Sequence, residues 1–292
     1  MSNLIVKATN LTKKYDNSSL ALNNLNINVP EGSVYGLLGQ NGAGKSTLIR
    51  IIMSLLKPNT GEIKVLGCNP LEMNKKLKEQ IGYSSDSMQL IPWLKVSEML
   101  NYNGSFYDNW DLNYVEQWVK KLELPLNKRV FSLSRGTRQK LALIMAIGHR
   151  PKLLVLDEPA GGLDPLARKD FLESMIELIN ESGTSVIISS HLLTDLEKIA
   201  DNIGIIVKGE MKIETDLETL KNTTKKVRIA TKKDLVDIKI KDALKISTSN
   251  NTLNITFKNW NNDKITELKQ MFPESLIDIT HLSLEDIFLA YT

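Results

Sequence analysis

The segment Gly39-Gln40-Asn41-Gly42-Ala43-Gly44-Lys45-Ser46-Thr47 constrains this chain more than any other. It has the spacing G-x-x-x-x-G-K-S of a phosphate-binding loop. An apolar run from Val34 to Leu38 leads in and a helix-like run from Leu48 to Leu55 leads out. The loop therefore joins a buried strand to a helix. Glycines let successive backbone N–H groups turn toward one point and form an anion nest, and the following helix adds its positive end. Lys45 offers a point charge to β- and γ-phosphates, and Ser46 a hydroxyl to Mg²⁺. An ordinary strand–turn–helix needs the turn glycines alone; the Lys-Ser pair is what a turn leaves unexplained.

Length and composition narrow the class. The 292 residues suffice for one large domain and a smaller one. With 42% hydrophobic and 24% charged residues, the balance is that of a soluble globular protein. No window approaches the ~18 consecutive apolar residues that a membrane span needs, and Met1 to Lys7 lacks the pattern of a secretory signal. Cys68 stands alone, so no internal disulfide forms, and a reducing compartment is expected. A net charge of +3 is too small to argue for nucleic acid, and none is expected as a partner.

The pattern along the chain is α/β. Short antiparallel strands are expected at Leu4–Val6, Leu20–Leu22 and Leu25–Val29, and another at Gly61–Leu66. From about residue 86 to 150 the chain turns helical, with Asp111 placed to cap a helix over Leu112–Leu122. Strand–helix–strand follows: Leu153–Leu156, Pro165–Asn180 with Gly183 as its stop, then Val186–Ser189. The expected fold is a P-loop core, a parallel sheet with helices on both faces, carrying an antiparallel β-subdomain and a helical insertion. This domain takes residues 1–221; residues 222–292 read as a small α+β domain. The lysine-rich stretch after Lys221 reads as a solvated face, with attraction to an anionic membrane surface as the alternative.

The run Leu153-Leu154-Val155-Leu156-Asp157-Glu158 delivers two carboxylates to the carboxyl edge of the sheet, where the glycine loop also lies. Asp157 is expected in the Mg²⁺ shell and Glu158 beside the attacking water. His191 follows the next strand, where an imidazole would reach a γ-phosphate; the alternative is a surface histidine at a helix start. His149 and His281 have no such setting.

Leu133-Ser134-Arg135-Gly136-Thr137-Arg138-Gln139-Lys140 begins as a capped helix on general grounds. It also resembles the signature loop, usually L-S-G-G-Q, of ATP-binding-cassette (ABC) ATPases. The order of elements is similar too: glycine loop, helical insertion, signature, acidic pair, Gly162-Leu163-Asp164-Pro165, then His191. The resemblance covers residues 1–220. It implies ATP and Mg²⁺ as cofactors, with Tyr15 stacking on adenine and Gly39, Gln40, Asn41, Gly42, Ala43, Gly44, Lys45, Ser46 and Thr47 holding phosphates. Ser134 and Gly136 would meet the γ-phosphate bound by an opposite subunit. Glu158 would be the catalytic base, Asp164 would couple the two sites, and His191 would be the switch histidine. Three residues, in two places, depart from the pattern. Asp86 stands where a Mg²⁺-contacting glutamine is usual, with Gln89 nearby, and Arg135 and Thr137 replace Gly and Gln in the signature.

Phe106 to Trp110 and the ending Ser283 to Phe288 resemble a narrower group, ATPase subunits of bacterial exporters of the bacitracin-resistance, acetoin-utilisation and phenol-soluble-modulin type. That resemblance implies a second ATPase subunit and a separate polytopic membrane subunit as partners. It implies a cytoplasmic location at the inner face of the membrane. An importer ATPase, or a nucleotide-gated regulator with weak hydrolysis, shares the same motifs.

Overall fold

The computed structural model describes residues 3–15, 19–190, 193–231, 240–249 and 251–292. They fall into two compact units, Met1–Glu214 and Thr215–Thr292.

In the first unit, β1 (Leu4–Tyr15) and β2 (Ser19–Pro30) form one long antiparallel hairpin. Register shifts bend it, and Asn10 and Asn24 take φ of +51° and +44° there. Bulges of this kind break the strict alternation, which is why the sequence shows fragments where one hairpin stands. β3 (Val34–Leu38) leads to α1 (Lys45–Ile52), and β4 (Thr60–Val65) pairs antiparallel with β1, giving a sheet of order β2-β1-β4. After the single turn α2 (Lys75–Lys78) comes β5 (Ile81–Ser85).

The helical insertion holds α3 (Val96–Gly104), α4 (Leu112–Lys121) and α5 (Arg135–Ile147). Asp111 caps α4 as its position predicts, accepting the Tyr114 N–H at 3.0 Å. Then follow β6 (Leu153–Asp157), α6 (Pro165–Ser182), β7 (Ser185–Ser189), α7 (Leu193–Ile199), β8 (Asn202–Val207) and β9 (Glu210–Asp216). Gly183 ends α6 at φ +61°.

The second sheet has order β5-β6-β7-β3-β8-β9, and the four pairings from β5 to β8 are parallel. Strands β3 and β7 are buried at every residue, as central parallel strands covered on both faces must be. β8 and β9 extend this sheet beyond what the sequence pattern marks. They join through Lys208 and Gly209, both at positive φ, the geometry of a two-residue hairpin turn.

The second unit contains α8 (Leu217–Thr223), β10 (Lys225–Ala230), β11 (Ala243–Ser249), β12 (Thr252–Phe257), α9 (Asp263–Met271), β13 (Leu276–His281) and α10 (Leu284–Tyr291). Its antiparallel sheet has order β11-β12-β10-β13. Val227, Ile229, Leu253, Ile255 and Phe257 form the buried face against Leu268 and Phe272. Helix α8 belongs to this unit, so the boundary falls a few residues before the shift in composition. Among the described residues no helix is long and apolar enough to cross a membrane.

Candidate active site

The glycine loop follows the last residue of β3. The Ala43 N–H donates to Gln40 O at 3.0 Å and closes it; the Leu48 N–H donates to Gly44 O at 2.9 Å and starts α1. Gly44 has φ +114°, and a Cβ there would stand 2.5 Å from the carbonyl oxygen of Ala21. Alanine fits neither the dihedral nor the space. No side chain caps α1, and no acid sits in its first turn. The N–H groups at its start are left for an external anion.

Lys45 is 6% exposed. Its ammonium donates to Gly39 O at 2.6 Å and to Gln40 O at 3.4 Å. Burial lowers its pKa, and the carboxylates of Glu158 and Asp157 act against that. The cation is thus folded onto the loop's own carbonyls, weak acceptors that phosphate oxygens outcompete. Ser46 is exposed on the same turn. Tyr15, at the end of β1, brings its hydroxyl 3.5 Å from Thr47 Oγ1.

Strand β7 lies between β3 and β6, and Leu37, Ser189 and Asp157 share one rung of the sheet. Ser189 Oγ donates to Asp157 Oδ1 at 2.5 Å. The Glu158 N–H donates to Ser189 O at 3.1 Å and to Ser189 Oγ at 3.2 Å. One hydroxyl therefore fixes the first carboxylate and the backbone of the second. Ser189 is missed by the sequence reading; the available signal is a hydroxyl residue ending an otherwise apolar buried strand. Glu158 has φ +53°, uncommon for a residue with a side chain. Such strain gathers at functional positions.

The donors suit a hard cation. Mg²⁺ takes one or two protein ligands and completes its shell with water and phosphate. The Ser46 hydroxyl and the Asp157 carboxylate are oxygen donors of that kind. Among the described residues no cluster of three or more His, Cys, Asp or Glu gathers for a metal, so a cation here would rest on phosphate and water for the remainder of its shell.

A second cluster forms at the start of α5. Ser134 caps the helix, accepting the Thr137 N–H at 3.1 Å. Gly136 lies close to Ala167 and Leu163. Asp164 caps α6, accepting the N–H groups of Leu166 and Ala167 at 3.1 and 3.0 Å. Asp86, expected to reach Mg²⁺, is bound by α5: Arg135 Nη2 donates to its two oxygens at 2.7 and 2.6 Å, and Gln139 Nε2 donates at 3.1 Å. Gln139 is a second site residue that the sequence reading passes over. Gln89 lines a groove of about 600 Å³ that Asp86, Arg135 and Phe131 also border. His191 lies outside the described residues.

Comparison with known proteins identifies this arrangement. The ABC transporter family model matches residues 22–161, from β2 past the acidic pair. The chain is 37% identical to an uncharacterized ABC transporter ATP-binding protein, YdbJ of Bacillus subtilis, over 78% of its length and 75% of the relative's. It is 35% identical to the bacitracin transport ATP-binding protein BcrA of Bacillus licheniformis, over 76% and 73% of the two chains. An ATP-binding cassette solved as a dimer in a post-hydrolysis state with ADP and Pi superposes with a TM-score of 0.65 and 26% identity, over 73% of this chain and 98% of that one. The chain belongs to the ABC transporter family, as an ATP-binding subunit with ATPase activity.

Proposed function

We propose that two copies of this chain, or one copy and a close relative, sandwich two ATP molecules head to tail and drive export through a separate polytopic membrane subunit. The observation that carries this reading is the division of the site. Lys45, Asp157 and Glu158 lie within electrostatic reach of one another, while the start of α5 has Ser134 exposed and Gly136 half-buried, with no acid in its first turn. A helix start of that kind favours an anion, which a second protomer's triphosphate supplies.

In this mechanism the amides of Gly39 to Thr47 and the Lys45 ammonium grip the phosphates, and Tyr15 sits against the adenine. Ser46 and Asp157 hold Mg²⁺, which neutralises charge on the phosphates when bound. Glu158 polarises the attacking water, and Ser189 keeps Asp157 and the Glu158 backbone in place. Asp164 links one site to the other, and His191 reads the γ-phosphate. Charge developing on the transferred phosphoryl group meets donors already in position, the usual source of the largest catalytic term.

The membrane subunit docks on the helical insertion. Trp93 and Phe131 are 68% and 63% exposed, and the Phe131 N–H donates to Pro92 O at 2.9 Å, so the two aromatic residues lie on paired backbones. Exposed aromatics grouped in this way favour a protein partner. The Leu90-Ile91-Pro92-Trp93-Leu94 stretch supplies that contact, and the protein works at the inner face of the cell membrane. The cargo class, a peptide, drug or other amphiphile, follows the relative named for bacitracin transport.

Glu158→Gln tests the sandwich. It is expected to lower turnover by at least about 100-fold, the scale of a lost general base, and to trap an ATP-bound dimer on size exclusion. A variant that elutes only as monomer at saturating ATP removes the sandwich.

A further inference from the structure

Two of the residues that depart from the family pattern, Asp86 and Arg135, are bound to each other. Arg135 Nη2 sits 2.7 and 2.6 Å from the two Asp86 oxygens. The same carboxylate accepts from Gln139 Nε2, which also donates to Gly161 O at 3.1 Å. The guanidinium packs closely against Gly162: a Cβ at that glycine, where φ is +66°, would fall 1.9 Å from Arg135 Nη1. Three segments therefore meet on one ion pair, namely the residue after β5, the first turn of α5 and the loop after β6.

Arg135 is placed against its helix. A cation in the first turn opposes the helix dipole, and α5 has no acid there to offset it. Asp86 supplies the missing anion from outside the helix. The pair is half exposed, 46% for Arg135 and 34% for Asp86, so water screens it and its strength is modest. The cluster is also incomplete, since Gln139 Oε1 is buried with no hydrogen-bond partner among the described residues. A triphosphate carries several charges where Asp86 carries one, and arginine forms strong charge-assisted bonds to phosphate.

We infer that Arg135 is a phosphate-binding residue delivered to the ATP of the opposite protomer, and that Asp86 is its positioning residue, an intrachain latch that the incoming triphosphate displaces. The inference rests on the head-to-tail sandwich proposed above. In the open chain the latch holds Arg135 back and ties α5 to β5 and to the loop after β6. As the sandwich closes, Arg135 exchanges one carboxylate for phosphate oxygens, and Asp86 is freed beside the Mg²⁺-bearing edge of the sheet. Closure is thereby set against a charge pair, which disfavours dimerisation without nucleotide.

The test measures the ATP concentration for half-maximal dimerisation by sedimentation velocity, with Glu158→Gln as the background. Asp86→Asn is expected to lower that midpoint about two- to fivefold, the range an exposed ion pair supports. Arg135→Gln is expected to raise it, while leaving the affinity of the dilute monomer for a fluorescent ATP analogue unchanged. In the Arg135→Gln background, Asp86→Asn is expected to shift nothing. A midpoint unmoved or raised by Asp86→Asn, a lowered one for Arg135→Gln, or an Asp86→Asn shift that survives without Arg135 each overturns the latch. Asp86→Ser serves as a second neutral variant if Asp86→Asn does not fold. Absence of ATP-driven dimers in the Glu158→Gln background itself removes the sandwich; normal dimers with an unmoved midpoint remove only the latch.

Discussion

The two halves of the site are built in opposite ways. Around the glycine loop the groups that set its shape are buried and their partners are fixed: Lys45 lies on Gly39 O, Ser189 bridges the acidic pair, and Gly44 fits against Ala21 with no room for a methyl group. At the start of α5 the functional groups face solvent and rest on exchangeable contacts, an ion pair and a serine cap. A site that acts alone gains from rigidity throughout. A site completed by a second molecule needs one rigid half and one half free to be captured. Under the proposed sandwich, the contrast separates the half of the site that one chain completes from the half that waits for a second.

The largest effect expected from breaking this contrast is Lys45→Ala. It removes a buried charge from the rigid half, and loss of one partner from such a charge pair costs a few kcal/mol. ATP affinity of the isolated chain is expected to fall about 100-fold by equilibrium titration, with no effect on melting beyond a few degrees. Retained affinity places the phosphates elsewhere. Ser189→Ala acts on the same half with smaller effect. It deletes the hydrogen bond to Asp157 and leaves every group proposed to touch ATP. Turnover with Mg²⁺ is expected to drop about tenfold, as for a lost outer-shell partner of a metal ligand, while binding of ATP without Mg²⁺ is unchanged. Equal losses with and without Mg²⁺ assign the serine a purely structural role.

How much of this was legible in the sequence follows the same division. The rigid half is local in sequence: Gly39 to Thr47 declare the loop, and four apolar residues before Asp157 declare the strand. Their spacing alone positions them, because parallel strands bring such ends to one edge. Ser189 escaped because its partner is on a neighbouring strand, 32 residues away, and a serine at a strand end carries no pattern of its own. The Asp86–Arg135 pair escaped for the same reason across 49 residues. The sequence marks both as departures from a motif and cannot show that one departure compensates the other. Strand β9 was hidden for a different cause: it is only partly buried, so its alternation is weak, and a sheet edge leaves a fainter pattern than a sheet centre. Glu158's left-handed backbone has no counterpart in composition at all.

The far end of α5 offers the smallest and most discriminating test. Where its first turn presents charge to solvent, its last turn leads to His149, which is fully buried. The imidazole stacks on Tyr107 with centroids 4.0 Å apart, and its Nε2 lies 3.3 Å from Ile81 O, joining the insertion to β5. Burial lowers its pKa from 6.5 to about 4, although Ile81 O and Glu79 favour the charged form. The unfolded chain thus binds a proton that the folded chain refuses between pH 6.5 and about 4. Stability falls as pH drops through that window, and the loss levels off once both states are protonated. A shift of this size corresponds to ~3 kcal/mol. His149→Phe keeps a ring against Tyr107 and abolishes the titration. Its stability at pH 7 is expected to be about 1 kcal/mol lower, for the lost hydrogen bond, and its melting temperature to decline less steeply toward pH 4 than that of the parent chain. If the two pH profiles run parallel, His149 takes up its proton as readily in the folded chain as in the unfolded one, and the buried end of α5 is no more a closed, neutral anchor than its exposed start.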